Sequence, residues 1–160
     1  MNKTLLPLVL IAALATIPLM SAPQTKMDLI KQASKQVGEM TPKKLKALLD
    51  DEEEVIVLDV REAKQRAEGS IPFDDMNAEN FYAITRGNLE WEISKKITDK
   101  DALIVTYCRR GGRGALAADV LKKMGYKNAT TLKGGLKGWA AAGYPVKTGL
   151  GNVVLKKVEK

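Results

Sequence analysis

An α/β fold, a three-layer sandwich with a mainly parallel central sheet and helices on both faces, is predicted by three observations. Strand-length apolar runs alternate with amphipathic segments of helix length, the pattern of a parallel sheet crossed over by helices. Val55-Ile56-Val57-Leu58-Asp59-Val60 is apolar at every position but one, as suits a central strand covered on both faces. Ala102 to Tyr107 leads into a glycine-rich turn and then into a helix-like segment from Gly114 to Met124. That order sets the turn at the carboxyl end of a strand, the edge at which open α/β sheets bind ligands.

Taken in order, Met1 to Ala22 reads as a secretory signal peptide, with Lys3 at its start, an apolar stretch from Leu5 to Met20 and the small pair Ser21-Ala22. An uncleaved amino-terminal membrane anchor is the alternative, although the apolar run falls short of the ~20 residues of a full span. Either reading places the rest of the chain outside the cytoplasm, periplasmic or secreted. Residues 23–38 form a linker or helix, with Met27, Leu29, Ile30, Ala33 and Val37 as a partial apolar stripe. The domain proper is read as 39–146. Thr41-Pro42 opens a helix, since threonine caps and proline fits the first helical position. Leu45, Leu48 and Leu49 are its buried face. After the strand at 55–60, Ala63 to Glu68 is a short helix and Gly69-Ser70-Ile71-Pro72 a turn. Phe73 to Ala78 is a loop. Phe81 to Ile97 is helical in part, with Leu89, Trp91, Ile93 and Ile97 as apolar contacts. Past the helix that ends at Gly125, Ala129 to Leu132 is a short strand. An alanine helix follows Trp139 and is stopped by Gly143 and Pro145. Residues 147–160 are a basic tail, a short strand or loose.

Tyr107-Cys108-Arg109-Arg110-Gly111-Gly112-Arg113-Gly114 carries the chemistry. Cys108 is the only cysteine of the 160 residues. A lone cysteine is most often a small buried apolar residue. Here three arginines and three glycines crowd its carboxyl side, and such a string suits close backbone approach to a ligand. The N–H groups of a tight turn and a helix start form an anion-binding concavity. Those dipoles and the guanidinium groups of Arg109, Arg110 and Arg113 favour a thiolate, so Cys108 is the candidate nucleophile. Asp59, an acid at the end of a buried strand, calls for a partner. Pairing with Arg61 or capping a helix is preferred to catalysis, which makes both residues structural support.

Composition narrows the field. With 28% charged and 45% hydrophobic residues, the chain is neither disordered nor a multi-span membrane protein. A single cysteine excludes an internal disulfide. The absence of histidine excludes Cys-His and Ser-His-Asp catalysis and leaves no credible zinc site, so no metal is expected; no Gly-x-Gly-x-x-Gly string follows a strand to hold a dinucleotide, and no cofactor is expected. The net charge of +7 is uneven: residues 108–160 carry twelve Lys/Arg against Asp119 and Glu159, which leaves residues 1–107 net negative. The cysteine therefore lies in the cationic half, whose field draws in small anions. Only 5% of residues are aromatic, and no stacking platform or groove-reading motif supports nucleic acid as a partner.

Four pieces, in order and at ordinary spacing, resemble the rhodanese family of single-domain sulfurtransferases over roughly Glu39 to Val146. Val57-Leu58-Asp59-Val60-Arg61-Glu62 is similar to that family's Asp-x-Arg strand end. Gly69-Ser70-Ile71-Pro72 resembles its Gly-His-Ile-Pro turn. Cys108 to Arg113 is similar to its Cys-x-x-Gly-x-Arg loop. Lys133-Gly134-Gly135 with Trp139, Gly143 and Pro145-Val146 resembles its carboxyl-terminal signature. Ser70 departs from the usual histidine, and Gly114 stands where serine is commoner. The resemblance implies a ping-pong transfer of sulfane sulfur through a Cys108 persulfide, from thiosulfate or a similar small anion to cyanide or a thiol. It further implies that the backbone N–H groups of Arg109, Arg110, Gly111, Gly112, Arg113 and Gly114 stabilise the charged sulfur while the arginines bind the donor.

Three alternatives stand beside it. A cysteine phosphatase or arsenate reductase needs Cys-x5-Arg, which would put arginine at position 114, where this chain has glycine. A module that carries persulfide or binds a partner without turnover would share the fold. Gly135-Leu136-Lys137-Gly138 matches a short, common Gly-x-x-Gly string of nucleic-acid loops. Oligomeric state is not legible in the sequence.

Overall fold

The computed structural model describes residues 23–73 and 78–155. The stretch read as leader or anchor, the middle of the loop at 73–78 and the last five residues of the basic tail lie outside them. Strands β1 (Glu39–Met40), β2 (Ile56–Asp59), β3 (Phe81–Ala83), β4 (Ile104–Tyr107) and β5 (Ala129–Leu132) form one sheet in the order β1-β5-β4-β2-β3. Every pairing in it is parallel. β4 and β2 are central, in register from Ile56 against Ile104 to Asp59 against Tyr107. All four residues of β4 are buried, as the continuous apolar run anticipates.

Alternation along the strands sorts the core into two layers. Leu58 and Ile104 share one cluster with Val37, Leu89, Ile93, Ala117, Ala118 and Leu121. These last six come from helices α1 (Lys26–Val37), α4 (Leu89–Lys96) and α5 (Gly112–Lys123). Val57 and Val105 share the opposite cluster with Leu45, Trp139 and Ala140, from helices α2 (Pro42–Asp50) and α6 (Gly135–Ala141). Helices on both faces of a parallel sheet are the predicted architecture. Each fully buried Leu, Ile or Val contributes about 1.5–3 kcal/mol, and because such residues line both faces, no face of the central strands is left to water.

Local signals account for the helix starts. Thr41 accepts a hydrogen bond from Lys44 N–H at 3.2 Å, and Pro42 occupies the first turn of α2. Thr25 and Asp28 form a reciprocal capping box on α1. The segment read as linker or helix is thus a 12-residue helix, with Ala33 and Val37 buried where α1 packs along α5. After the single turn α3 (Ala63–Arg66), the chain returns to the sheet edge.

Three expectations are corrected. Phe81–Ala83 is strand β3, pairing with β2, where the sequence reading put the start of a partly helical segment; three residues are too few to show alternation. Trp91 is 77% exposed, because Leu89 and Ile93, four apart, take the inward face of α4 and a residue midway between them points outward. Helix α5 begins at Gly112, two residues before the predicted start. At the carboxyl end, β6 (Val146–Thr148) and β7 (Gly151–Val153) form an antiparallel hairpin. Ser70 bridges to Lys147 of β6 through its backbone, N–H to C=O at 2.9 Å and back at 2.8 Å. Among the described residues no helix is long and apolar enough to cross a membrane.

Candidate active site

Strand period places Cys108. Ile104 and Cys108 lie an even number of residues apart and face the same layer, so the thiol joins the cluster of Val60, Ile84, Ala117 and Ala118 beside α5. Cys108 is only 3% exposed. It is therefore buried, as a lone cysteine most often is, and yet it sits at the carboxyl end of β4, the edge at which open α/β sheets bind ligands.

The turn that follows leaves its backbone donors without acceptors among the described residues. Gly111 takes φ +97°, a left-handed conformation that glycine adopts without strain, and from it the chain enters α5 with no side-chain cap. Among the described residues no acceptor meets the backbone N–H groups of Arg109, Arg110, Gly111, Gly112, Arg113 or Gly114; the first helical bond is Ala115 N–H to Gly111 C=O, 2.9 Å. Six consecutive donors thus follow Cys108 at the positive pole of a 12-residue helix. Arg109 and Arg110 are exposed. Arg113 is half-buried and donates from Nη2 to Gln65 Oε1 at 2.8 Å.

The loop is held from behind by a segment the sequence reading did not assign to the site. Leu136 N–H donates to Cys108 C=O at 2.8 Å, and Lys137 N–H donates to Arg109 C=O at 3.0 Å. The amino end of α6 thus satisfies the carbonyls of Cys108 and Arg109. Close approach makes this possible: a Cβ on Gly135 would lie 2.3 Å from Cys108 O and 2.7 Å from Gly111 N. The Gly-x-x-Gly string at 135–138 is occupied in bracing the cysteine loop. Its signal in the sequence was the run Lys133-Gly134-Gly135, present but without a visible partner.

Gly114 also has a packing reason. A Cβ there would meet Thr131 Oγ1 at 2.7 Å. Thr106 Oγ1 donates to Gly114 C=O at 2.8 Å, so hydroxyl groups near the loop come from the strands beneath it.

Asp59 and Arg61 are brought together, buried and beside the site. Arg61 Nε lies 2.9 Å from Asp59 Oδ1, and Nη2 lies 2.6 Å from Oδ2. The remaining guanidinium donors reach Gln65 C=O at 2.9 Å and Gly69 C=O at 2.7 Å, so the buried charge is fully paired. Burial works against the charged form of Arg61, but the hydrogen bonds and the charge of Asp59 outweigh it and raise its pKa. The guanidinium stands 5.4 Å from the centre of the Tyr107 ring. Burial, with the Asp59 carboxylate next to it, pushes the Tyr107 phenol above the ordinary tyrosine range. The pair thus ties the end of β2 to the turn at Gly69 and to α3.

Three clefts lie elsewhere: along α1 between Met27 and Glu39, at the acidic turn from Asp50 to Glu54, and beside Trp139 and Pro145. None of the three touches Cys108. Among the described residues no group of acids and cysteine is arranged to hold a metal ion.

The profile of the Rhodanese-like domain matches residues 41–142. A sulfurtransferase of Allochromatium vinosum is 30% identical over 110 residues, 69% of this chain and 94% of that protein. The thiosulfate sulfurtransferase GlpE of Actinobacillus succinogenes is 28% identical over 71% of this chain and 93% of its own length. Among solved structures, a Rhodopseudomonas palustris protein of unknown function, described as a possible tyrosine phosphatase, aligns with a TM-score of 0.65 at 27% identity, over 79% of this chain and 99% of that one.

Proposed function

We propose the reaction from a settled affiliation: this chain belongs to the rhodanese-like domain family and is a sulfurtransferase-type enzyme. The finer reading is transfer of a sulfane sulfur from thiosulfate, or a donor of similar charge and size, to cyanide or a thiol. The observation that carries it is the run of six backbone N–H groups, without an acceptor among the described residues, directly after a cysteine at a strand end.

Cys108 thiolate attacks the outer sulfur of thiosulfate. A sulfur–sulfur bond forms to the cysteine as the one within thiosulfate breaks, and sulfite leaves with the electron pair. The persulfide anion that remains lies among the loop N–H groups, which act as an electrostatic cradle for the charge as it moves outward. Cyanide then attacks the outer sulfur, thiocyanate departs and the thiolate is restored. No electrons are gained or lost overall and no proton need move, in keeping with a site that has no histidine. Splitting one transfer into two is ordinary covalent catalysis. Arg109, Arg110 and Arg113 draw in and hold the dianion through charge-assisted bonds. In the proposed setting the domain works outside the cytoplasm.

Thiocyanate formation from thiosulfate and cyanide tests this. Parallel double-reciprocal lines are expected, with turnover abolished in Cys108→Ala. Undiminished turnover in that variant would sink the mechanism. A second reading is favoured by the structural neighbour described as a possible phosphatase: hydrolysis of a phosphate ester by the same cysteine. Arg113, one position early for a phosphatase loop, speaks against it. Release of phosphate from an aryl phosphate, without thiocyanate formation, would favour that reading instead.

A further inference from the structure

Of the three loop arginines, Arg113 alone is fixed by a side chain of a described residue. Its Nη2 donates to Gln65 Oε1 at 2.8 Å. Gln65 is itself anchored, because its backbone C=O takes Arg61 Nη1 at 2.9 Å and Arg61 is locked on Asp59. Arg66 adds a further tie, donating from Nη1 to Arg61 C=O. A line of contacts therefore runs from the buried ion pair through α3 to the last arginine of the loop. It ends on an amide oxygen, and the nature of that acceptor matters. An amide orients a guanidinium and leaves its charge intact. A carboxylate in the same place would form a two-pronged ion pair with no net charge. Among the described residues, Arg109 and Arg110 have no acidic partner either.

Resting on the sulfur-transfer reading, we infer that Gln65 is a positioning residue that sets the donor charge the site prefers: it holds Arg113 at the loop with its positive charge uncancelled, and so favours small doubly charged sulfur donors over singly charged ones. Coulomb energy scales with the charge of the ligand. Removing one positive charge from the site therefore weakens a dianion by twice as much, in free energy, as a monoanion of the same size.

The test uses the full chain and two donors, thiosulfate (a dianion) and methanethiosulfonate (a monoanion), with saturating cyanide. Gln65→Glu keeps size and shape, and an ion pair with Arg113 keeps the loop folded; an unchanged Tm verifies this. The variant is expected to lose on the order of tenfold in kcat/KM for thiosulfate and about threefold for methanethiosulfonate, the square-root relation that charge scaling requires. The loss falls on KM more than on kcat, and it shrinks as added salt screens the site. Loss of local structure would not move the donor ratio or its salt dependence. Equal losses with both donors, or no loss with either, overturn the inference while leaving the reaction standing. A wild-type protein that takes sulfur from neither donor overturns the sulfur-transfer reading and this inference with it.

Discussion

Two residues decide whether the cysteine loop works, and only one was visible as such. Cys108 announced itself by its neighbours: three arginines and a glycine-rich turn after an apolar strand. Gly135 did not, because its task is to let backbone approach backbone. At φ +58° any other residue is strained by about 1–2 kcal/mol from the backbone alone, and its Cβ would collide with Cys108 C=O. Gly135→Ala is therefore expected to lower the urea midpoint and to cut kcat by at least tenfold, because Leu136 N–H can no longer reach the cysteine carbonyl. A variant with wild-type kcat would show that the brace is dispensable. Gln65 was equally hidden, since only the fold brings residue 65 to residue 113.

The elements were legible wherever the pattern had length. Strands β2 and β4 are continuous apolar runs, α2 has its Thr-Pro start, and the Asp59–Arg61 pair could be expected from an acid at the end of a buried strand. The short pieces β1, β3 and β7, two or three residues each, are made by the sheet and its turns and leave no periodicity to read. Two predictions belong here. Asp59→Ala leaves the Arg61 charge buried without a partner, and urea unfolding is expected to show a loss of about 3–5 kcal/mol; a loss under 1 kcal/mol would contradict the structural role. Tyr107 gives a pH signature. Its phenol keeps its proton in the folded protein to a higher pH than in the unfolded chain, which releases it near pH 10. The folded state then binds more protons, so stability falls as pH rises past that value. Tyr107→Phe is expected to flatten this alkaline decline. Parallel stability curves for the two proteins between pH 9 and 11 would rule it out.

At the scale of the molecule, charge and covering helices were unequally readable. The cationic bias of residues 108–160 is plain in the sequence, and the structure sets three of those cations in or beside the loop. Field of this kind acts on encounter. The kcat/KM for thiosulfate is therefore expected to fall as sodium chloride rises from 20 to 500 mM, by about threefold or more over a range in which the Debye length shortens from roughly 20 to 4 Å, while kcat stays within twofold. A salt-independent kcat/KM would mean that the arginines serve the fold rather than the donor. The packing of α1 was less legible. Its apolar stripe is partial, and Met27 and Leu29 remain exposed; what it covers, the outer side of α5, becomes evident only once both helices are in place.

The most direct measurement is the intact mass of the purified protein before and after thiosulfate. A gain of about 32 Da, one sulfur atom, that cyanide removes and Cys108→Ala prevents is the predicted result of a persulfide on the nucleophile. An unchanged mass with Cys108 still free to alkylation, under conditions in which thiosulfate is in large excess, would contradict sulfur transfer from this donor.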